Sequence, residues 1–465
     1  MRPTSCALSL LALLVSACAS APSPSLAGAA TAEGSLVVTG VSIVNPEEGT
    51  VSLPQDILIN GGRIAAVASA GALSVPAGTT QIDGTNRFAL AGLIDVHAHV
   101  GEGGIAPQDA LTRDRALKQF LRYGVTSIFV PGATGAGDAE LAGLVERCRT
   151  RSCPGISGSG SIITAPGSHP VSTIFEMPAD VPAEVTEARG VTVLRPGTDI
   201  EALVARKSAA GADAIKIVIE DGPPPWYPKP RLADDQIMAI VKAAHARSLA
   251  VFAHISTAKL TEVALDAGID GIMHAPIDKL PDELIRRMAE RRMWYVPTFA
   301  LYDGILTWSR KQRESDPYAL KGVEPSAIAS LAAPPFLAAS PESEAGALAY
   351  LSNASDNIRR AALAGVPVAL GTDVNNPFVY PGYSAHEELA WMVRAGLTPA
   401  QALRAGTLGS AAFLKASTRV GRIAPGFEAD LILLSRNPLE KIENSRSIVA
   451  VIADGRVVED VVSSD

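Results

Sequence analysis

The sequence predicts an α/β protein, a TIM-type (β/α)8 barrel joined to a small β-sandwich domain formed from both chain ends. Three observations carry that prediction. Through residues 91–421, short apolar runs alternate with amphipathic helical patterns, as parallel β/α units do. Eight such runs can be counted, which is the number that closes this kind of barrel. Alternating segments with N-G-G and D-G turns, the pattern of hairpins, occur instead at 34–90 and 422–465.

In chain order, the first 17 residues read as a signal peptide. Arg2 supplies the positive start, residues 7–15 the apolar core, and Ser16-Ala17 the small-residue end. Cys18 follows directly and resembles the acceptor of a bacterial lipoprotein signal. That likeness implies an exported, periplasmic protein anchored to a membrane by lipid on Cys18; an ordinary secretory cleavage is the alternative. Residues 18–33 are rich in Ala, Ser and Pro and read as a flexible tether. No later stretch reaches 18 uninterrupted apolar residues, so membrane contact is expected only through that lipid. Export removes Cys6 and leaves Cys148 and Cys153 for either a disulfide or a reduced pair.

Composition bounds the rest. Hydrophobic residues make up 47% and charged residues 19%, which excludes intrinsic disorder, and four Cys in 465 residues exclude a disulfide scaffold. A net charge of −8 argues against a nucleic-acid partner, which needs clustered cations. A small-molecule substrate is the expected partner, and self-association is left open.

The strand candidates are GLIDVHAHV (92–100), VTSIFVPG (125–132), GISGSGSII (155–163), DAIKIVIE (213–220), LAVFAHIS (249–256), GIMHA (271–275), WYVPTFA (294–300) and VPVALGTD (366–373). Helical patterns such as 234–248 and 281–292 lie between most of them. Two connections are long, 164–198 and 301–365, and read as walls or lids over a substrate.

Residues at the C-terminal ends of barrel strands face the active-site mouth. Here those ends carry His97 and His99, Lys216, His254, His274 and Asp373. His97 and His99 are two apart, so both imidazoles share one face of a strand and reach one ion. Lys216 stands in an apolar strand, where an ammonium is costly unless paired or discharged. Taken singly, each His also reads as a hydrogen-bonded core residue. The ordered set HxH, Lys, His, His, Asp reads as a metal centre. Lys229 and Arg231 read as solvated loop charges, with a substrate carboxylate as the alternative partner, and His245, inside a helix, as structural. His386 opens HEELA, which lacks the second His of HExxH; a place near the mouth is its alternative to a structural role. No G-x-S-x-G, P-loop or G-x-G-x-x-G supports a serine hydrolase or a nucleotide enzyme.

On GLIDVHAH, LGTD, and LTPAQALRAGTLGSAAFL followed by GRIAPGFEADLILLSRNPL, the sequence resembles the amidohydrolase superfamily. Within it the likeness is to the imidazolonepropionase-like, metal-dependent dipeptidase (prolidase-like) group, over nearly all of the mature chain. The resemblance implies two divalent metal ions, one on His97, His99 and Asp373, the other on His254 and His274; imidazole and carboxylate donors suit Zn best, with Mn, Fe or Co as alternatives. It implies a carboxylated Lys216 bridging them, a metal-activated hydroxide as nucleophile, and Asp373 as proton shuttle. It also implies substrate contacts from His169 and from Tyr227; the P-P-P-W insertion departs from the group's pattern beside Tyr227, and Trp226 is a weaker candidate. The expected reaction is cleavage of an amide or peptide bond in a dipeptide or N-acyl amino acid. An esterase, lactonase or organophosphate hydrolase could use the same centre. A mononuclear deaminase is disfavoured by Lys216, and a ligand-binding lipoprotein by the presence of all six residues.

Overall fold

A computed structural model describes residues 35–100, 113–132, 137–148, 153–222, 228–309, 317–321, 341–374, 376 and 378–464. The signal peptide, Cys18 and the tether, along with Trp226 and Tyr227, lie outside the described residues. Among the described residues no helix is long and apolar enough to cross a membrane.

The described residues open in a nine-stranded sheet organised around β1 (Leu36–Asn45). β1 pairs antiparallel with β2 (Thr50–Val51) and β3 (Gln55–Asn60), and β3 pairs with β4 (Arg63–Ser69). β5 (Thr80–Asp83) and β6 (Phe88–Ala91) run parallel to β1.

Nine parallel segments then build the barrel. β7 (Leu93–Asp95), β8 (Val125–Val130) and β9 (Gly155–Gly158) form one arc. β10 (Ile162–Thr164), β11 (Val191–Val193), β12 (Ala214–Val218), β13 (Ala250–His254), β14 (Gly271–Met273) and β15 (Trp294–Val296) form the other, in the order β11-β10-β12-β13-β14-β15. The predicted eighth strand closes the circle without a long ladder. On one side Tyr295 N donates to Pro367 O and Ala369 N to Tyr295 O; on the other Val96 N donates to Leu370 O and Asp373 N to His97 O.

The chain returns to the first sheet through β16 (Leu431–Leu434), antiparallel to β6, then β17 (Ile448–Ala453) and β18 (Arg456–Val457). Val38, Val41, Ile57, Ile59, Leu431 and Ile452 pack together in its core, so residues from both chain ends bury one another. The fold is a TIM-type barrel with a β-sandwich domain drawn from both ends.

The third predicted strand differs from the continuous run read at 155–163, being broken into β9 and β10. Gly160 adopts φ +66, which an L residue rarely takes, and a Cβ there would collide with the Asp138 side chain. Asp138 Oδ1 accepts from Ser161 N at 2.7 Å and from Lys207 Nζ at 2.9 Å. Lys207 is fully buried and also donates to the Ser161 carbonyl at 2.6 Å. The break lets β9 pair with β8 while β10 pairs with β12, so an ion pair between buried Lys207 and half-buried Asp138 sits where the two arcs meet. Lys207→Met is expected to cost about 1–3 kcal/mol, because the Ser161 carbonyl loses its Lys207 donor and Asp138, though still held by Ser161, loses its charge partner. Urea melts check this; a loss under about 1 kcal/mol, the size of an exposed pair, would show that the pair is not structural.

The long connections carry structure of their own. Between 164 and 198 lie the helix Ala183–Glu187 and β11; between 301 and 365 the described parts are helical, ending in Pro341–Leu363. Cys148 and Cys153 form a disulfide with Cα atoms 5.3 Å apart, tying the helix Gly137–Cys148 to the approach of β9.

Candidate metal centre

His97 and His99 stand just beyond β7, where the first strand meets the eighth. Asp95, wholly buried, bridges that seam by accepting from His97 N at 3.0 Å, Thr372 N at 3.1 Å and Thr372 Oγ1 at 2.6 Å. Burial pushes its pKa up to about 7 against the pull of these hydrogen bonds. Gly371 allows the close approach: a Cβ there would lie 2.5 Å from Val296 Cγ1 and 2.7 Å from His97 Cβ.

Across the seam, Asp373 Oδ1 lies 3.3 Å from His97 Nε2 and 3.1 Å from His99 Nε2. The three side chains offer donor atoms all within 4.8 Å of one another. A tetrahedral zinc site with bonds of about 2.0–2.2 Å spaces its ligand atoms at about 3.3–3.6 Å, close to this arrangement. His99 turns Nδ1 to the Gly132 carbonyl at 3.2 Å, which only a ring N–H satisfies. In the neutral ring its Nε2 is then a lone pair aimed at a carboxylate oxygen, an arrangement that a cation between them relieves. A proton on His97 is disfavoured, since burial first and then the charges of Lys216, His274, His99 and His254 hold its pKa well below the usual range. The residues present fit a divalent cation.

His254 ends β13 and His274 follows β14. Their ring centroids are 4.4 Å apart, and His274 lies 4.8 Å from His97. His274 Nδ1 shares a hydrogen bond of 2.9 Å with Thr298 Oγ1 and lies 3.9 Å from Asp373 Oδ2. Burial, followed by the charges of His254 and Lys216, holds the His274 pKa well down. His274, Thr298 and Asp373 all adopt positive φ (81°, 53° and 60°), a conformation that is strained for His and for β-branched Thr.

Lys216 on β12 is buried beside these rings. Its Nζ donates to the Met273 sulfur at 2.9 Å, a weak acceptor, and burial pulls its pKa from 10.5 to about 7 against the favourable charge of Asp373. The structure thus brings His97, His99, Lys216, His254, His274 and Asp373 together at one end of the barrel. His169 joins them, with its ring stacked on His254 at 4.5 Å and Nδ1 2.7 Å from Thr173 Oγ1.

The remaining candidates lie elsewhere. Arg231 donates to Asp234 at 2.7 Å, and His245 pairs with Asp270 at 2.9 Å. His386 does not reach the mouth. Its Nε2 meets the Tyr123 carbonyl and its Nδ1 meets Ser445 Oγ, both at 2.9 Å, and burial holds its pKa down at about 3. HEELA is a structural anchor: Glu387 pairs with Arg446, and Glu388, fully buried, accepts from Phe299 N at 3.0 Å and Ala300 N at 2.7 Å. Glu388 thereby fixes the turn that presents Thr298 to His274.

Sequence reasoning also missed Glu220. It lies four residues after Lys216 and so on the same strand face, a signal available from the sequence. Its Oε1 accepts from Ser256 Oγ at 2.9 Å and Gly222 N at 2.8 Å, and its Oε2 lies 3.5 Å from His254 Nε2.

The amidohydrolase family pattern matches residues 88–458. The chain belongs to the amidohydrolase family. Among solved structures it is similar to a Bifidobacterium longum protein assigned as a prolidase, at 26% identity and a TM-score of 0.72, covering 93% of this chain and 96% of that one. It is 25% identical over 384 residues to ochratoxinase of Aspergillus niger, covering 76% of this chain and 71% of the relative. It is 25% identical over 451 residues to imidazolonepropionase of Anaeromyxobacter sp. (strain K), covering 86% and 90%. As an amidohydrolase, the chain is a hydrolase acting on amide or peptide carbon–nitrogen bonds of small molecules.

Proposed function

We propose that this amidohydrolase is an exported binuclear metalloenzyme that cleaves the amide or peptide bond of a dipeptide or N-acyl amino acid. The observation that carries the reading is the convergence of His97, His99 and Asp373 beside a buried amine, Lys216, whose Nζ donates only to sulfur among the described contacts. His97, His99 and Asp373 would hold one divalent cation, and His254 and His274 the other, with zinc the best match to imidazole and carboxylate donors. Two such ions supply a Lewis acid for the scissile carbonyl and an acidified water.

The chain's own groups do the rest. Lys216, with a pKa of about 7, offers a large neutral fraction at neutral pH. Its Nζ lone pair attacks the carbon of carbon dioxide, the N–C bond forms, and one N–H proton leaves to solvent. The resulting carbamate replaces an unpaired amine with an anion bearing two oxygen donors. Asp373 accepts the proton of the attacking water and delivers it to the leaving nitrogen as the C–N bond breaks. His169, stacked against His254, contacts the substrate carbonyl or carboxylate, with Tyr227 as a second contact from the loop after the fourth strand. Export through the signal peptide is supported by the Cys148–Cys153 disulfide, a bond that persists in oxidising compartments; lipid on Cys18 rests on the sequence likeness alone.

The test combines metal analysis with a substrate panel. Enzyme produced with excess zinc and bicarbonate is expected to carry two equivalents per chain. On the panel, dipeptides and N-acyl amino acids are expected to show the highest kcat/KM, above esters and lactones. At most one equivalent, or a clear preference for esters or lactones, overturns the reading.

A further inference from the structure

The chemistry proposed above makes no use of Glu220, yet the geometry of this side chain is specific. It is a buried carboxylate at the mouth end of the strand that carries Lys216. Its two oxygens have different duties. Oε1 is committed to two donors, Ser256 Oγ at 2.9 Å and Gly222 N at 2.8 Å. Those bonds leave Oε2 directed at His254 Nε2, 3.5 Å away, at the outer edge of a hydrogen bond. Ser256 follows His254 by two residues, so the hydroxyl that fixes the carboxylate rides on the same chain segment as the imidazole it faces.

We infer that Glu220 is the positioning residue of the second metal site, holding the proton of His254 on Nε2 so that Nδ1 is the ligating atom. The inference rests on the two-metal reading. An imidazole binds a cation through one nitrogen only when the proton sits on the other, and a carboxylate facing that other nitrogen sets the tautomer and makes the ring a better donor. His274 is served differently, by Thr298 Oγ1 at 2.9 Å, so the two imidazoles of the second site have separate supports. His99 is served by the Gly132 carbonyl at 3.2 Å. Of these three supports, the one facing His254 carries a formal negative charge.

Glu220→Gln is a sharp probe because the side chain cannot turn freely. Ser256 and Gly222 both donate to the Oε1 position and keep the amide oxygen there, which puts the amide NH2 against His254 Nε2. An N–H donor at that point favours the opposite tautomer, with the proton on Nδ1, where it blocks the ligand position.

The experiment titrates zinc into metal-free parent and Glu220→Gln enzyme by calorimetry, with a chelator competition to resolve tight sites, and melts both metal-free proteins. The expected result is two equivalents in the parent. In the variant, one equivalent weakens by about 10–100-fold and the other is unchanged. The metal-free melts are expected to coincide, since Gln keeps the bonds to Ser256 and Gly222. Both equivalents at parental affinity overturn the inference, and so does uniform weakening with a lowered metal-free melt, which assigns Glu220 a merely structural role. A parent that binds a single equivalent, unchanged in the variant, overturns the two-metal reading along with it.

Discussion

Asp373→Asn is expected to lower kcat by about 10²–10⁴-fold, the usual worth of a positioned proton-transfer group. The substitution is chosen for its backbone. Asp373 sits at φ 60, and Asn shares with Asp the tolerance for left-handed conformation that Ala lacks. The neutral amide keeps a coordinating oxygen near His97 and His99 but can no longer take up the proton of the attacking water. The fold is expected to survive, so the metal-free variant should melt with the metal-free parent. Measurement at saturating zinc, with bound metal counted, separates loss of proton transfer from loss of the ion. A variant that retains its metal and more than about a tenth of parental kcat removes Asp373 as the proton carrier.

The second large effect belongs to Lys216→Met. Met fills a similar volume but cannot form a carbamate, so the variant is expected to retain at most one zinc equivalent. Lewis-acid stabilisation is worth several kcal/mol, and at about 1.4 kcal/mol per tenfold this is a loss of roughly 10³-fold in kcat/KM. The same substitution has a signature without metal. In the folded protein the amine has a pKa of about 7 against an ordinary 10.5. Between these values the unfolded chain binds one proton more than the folded one, so stability should rise with pH across that window. The slope from this one group reaches about 1.4 kcal/mol per pH unit at most. Urea melts in metal-free, carbon-dioxide-free buffer should show it in the parent and lose it in the variant. Identical slopes in the two proteins would mean that Lys216 is charged when buried, and the carbamate route would go with it.

The barrel and the six residues at its strand ends were legible because their signals are local. His97 and His99 share a face by spacing alone, Lys216 stands out against its apolar neighbours, and Asp373 closes a strand that begins apolar. The supporting groups act across distance and leave little local trace. Glu388 lies 89 residues from Phe299, whose amide it holds, and its helix also carries His386, whose ring packs toward Tyr123 and Ser445 instead of the mouth. In sequence Lys207 is indistinguishable from a solvated helix charge, because nothing nearby announces Asp138, 69 residues earlier. The break between β9 and β10 was hidden by small residues that read equally well as continuous strand. Glu220 shares the strand face of Lys216, but an acid at a strand end looks solvated until the side chains of the next strand are in place.

The bridge between Asp95 and Thr372 spans 277 residues of chain, and His97, His99 and Asp373 flank it on either side. Closing so large a loop costs entropy that these few polar contacts must offset. A cation gripped from both sides of the seam binds only the closed circle, so by mass action every bit of its affinity also favours closure. On the proposed metal reading, the centre would serve as a clasp as well as a reagent, and the supply of metal would govern how firmly the first and last strands of the barrel stay joined.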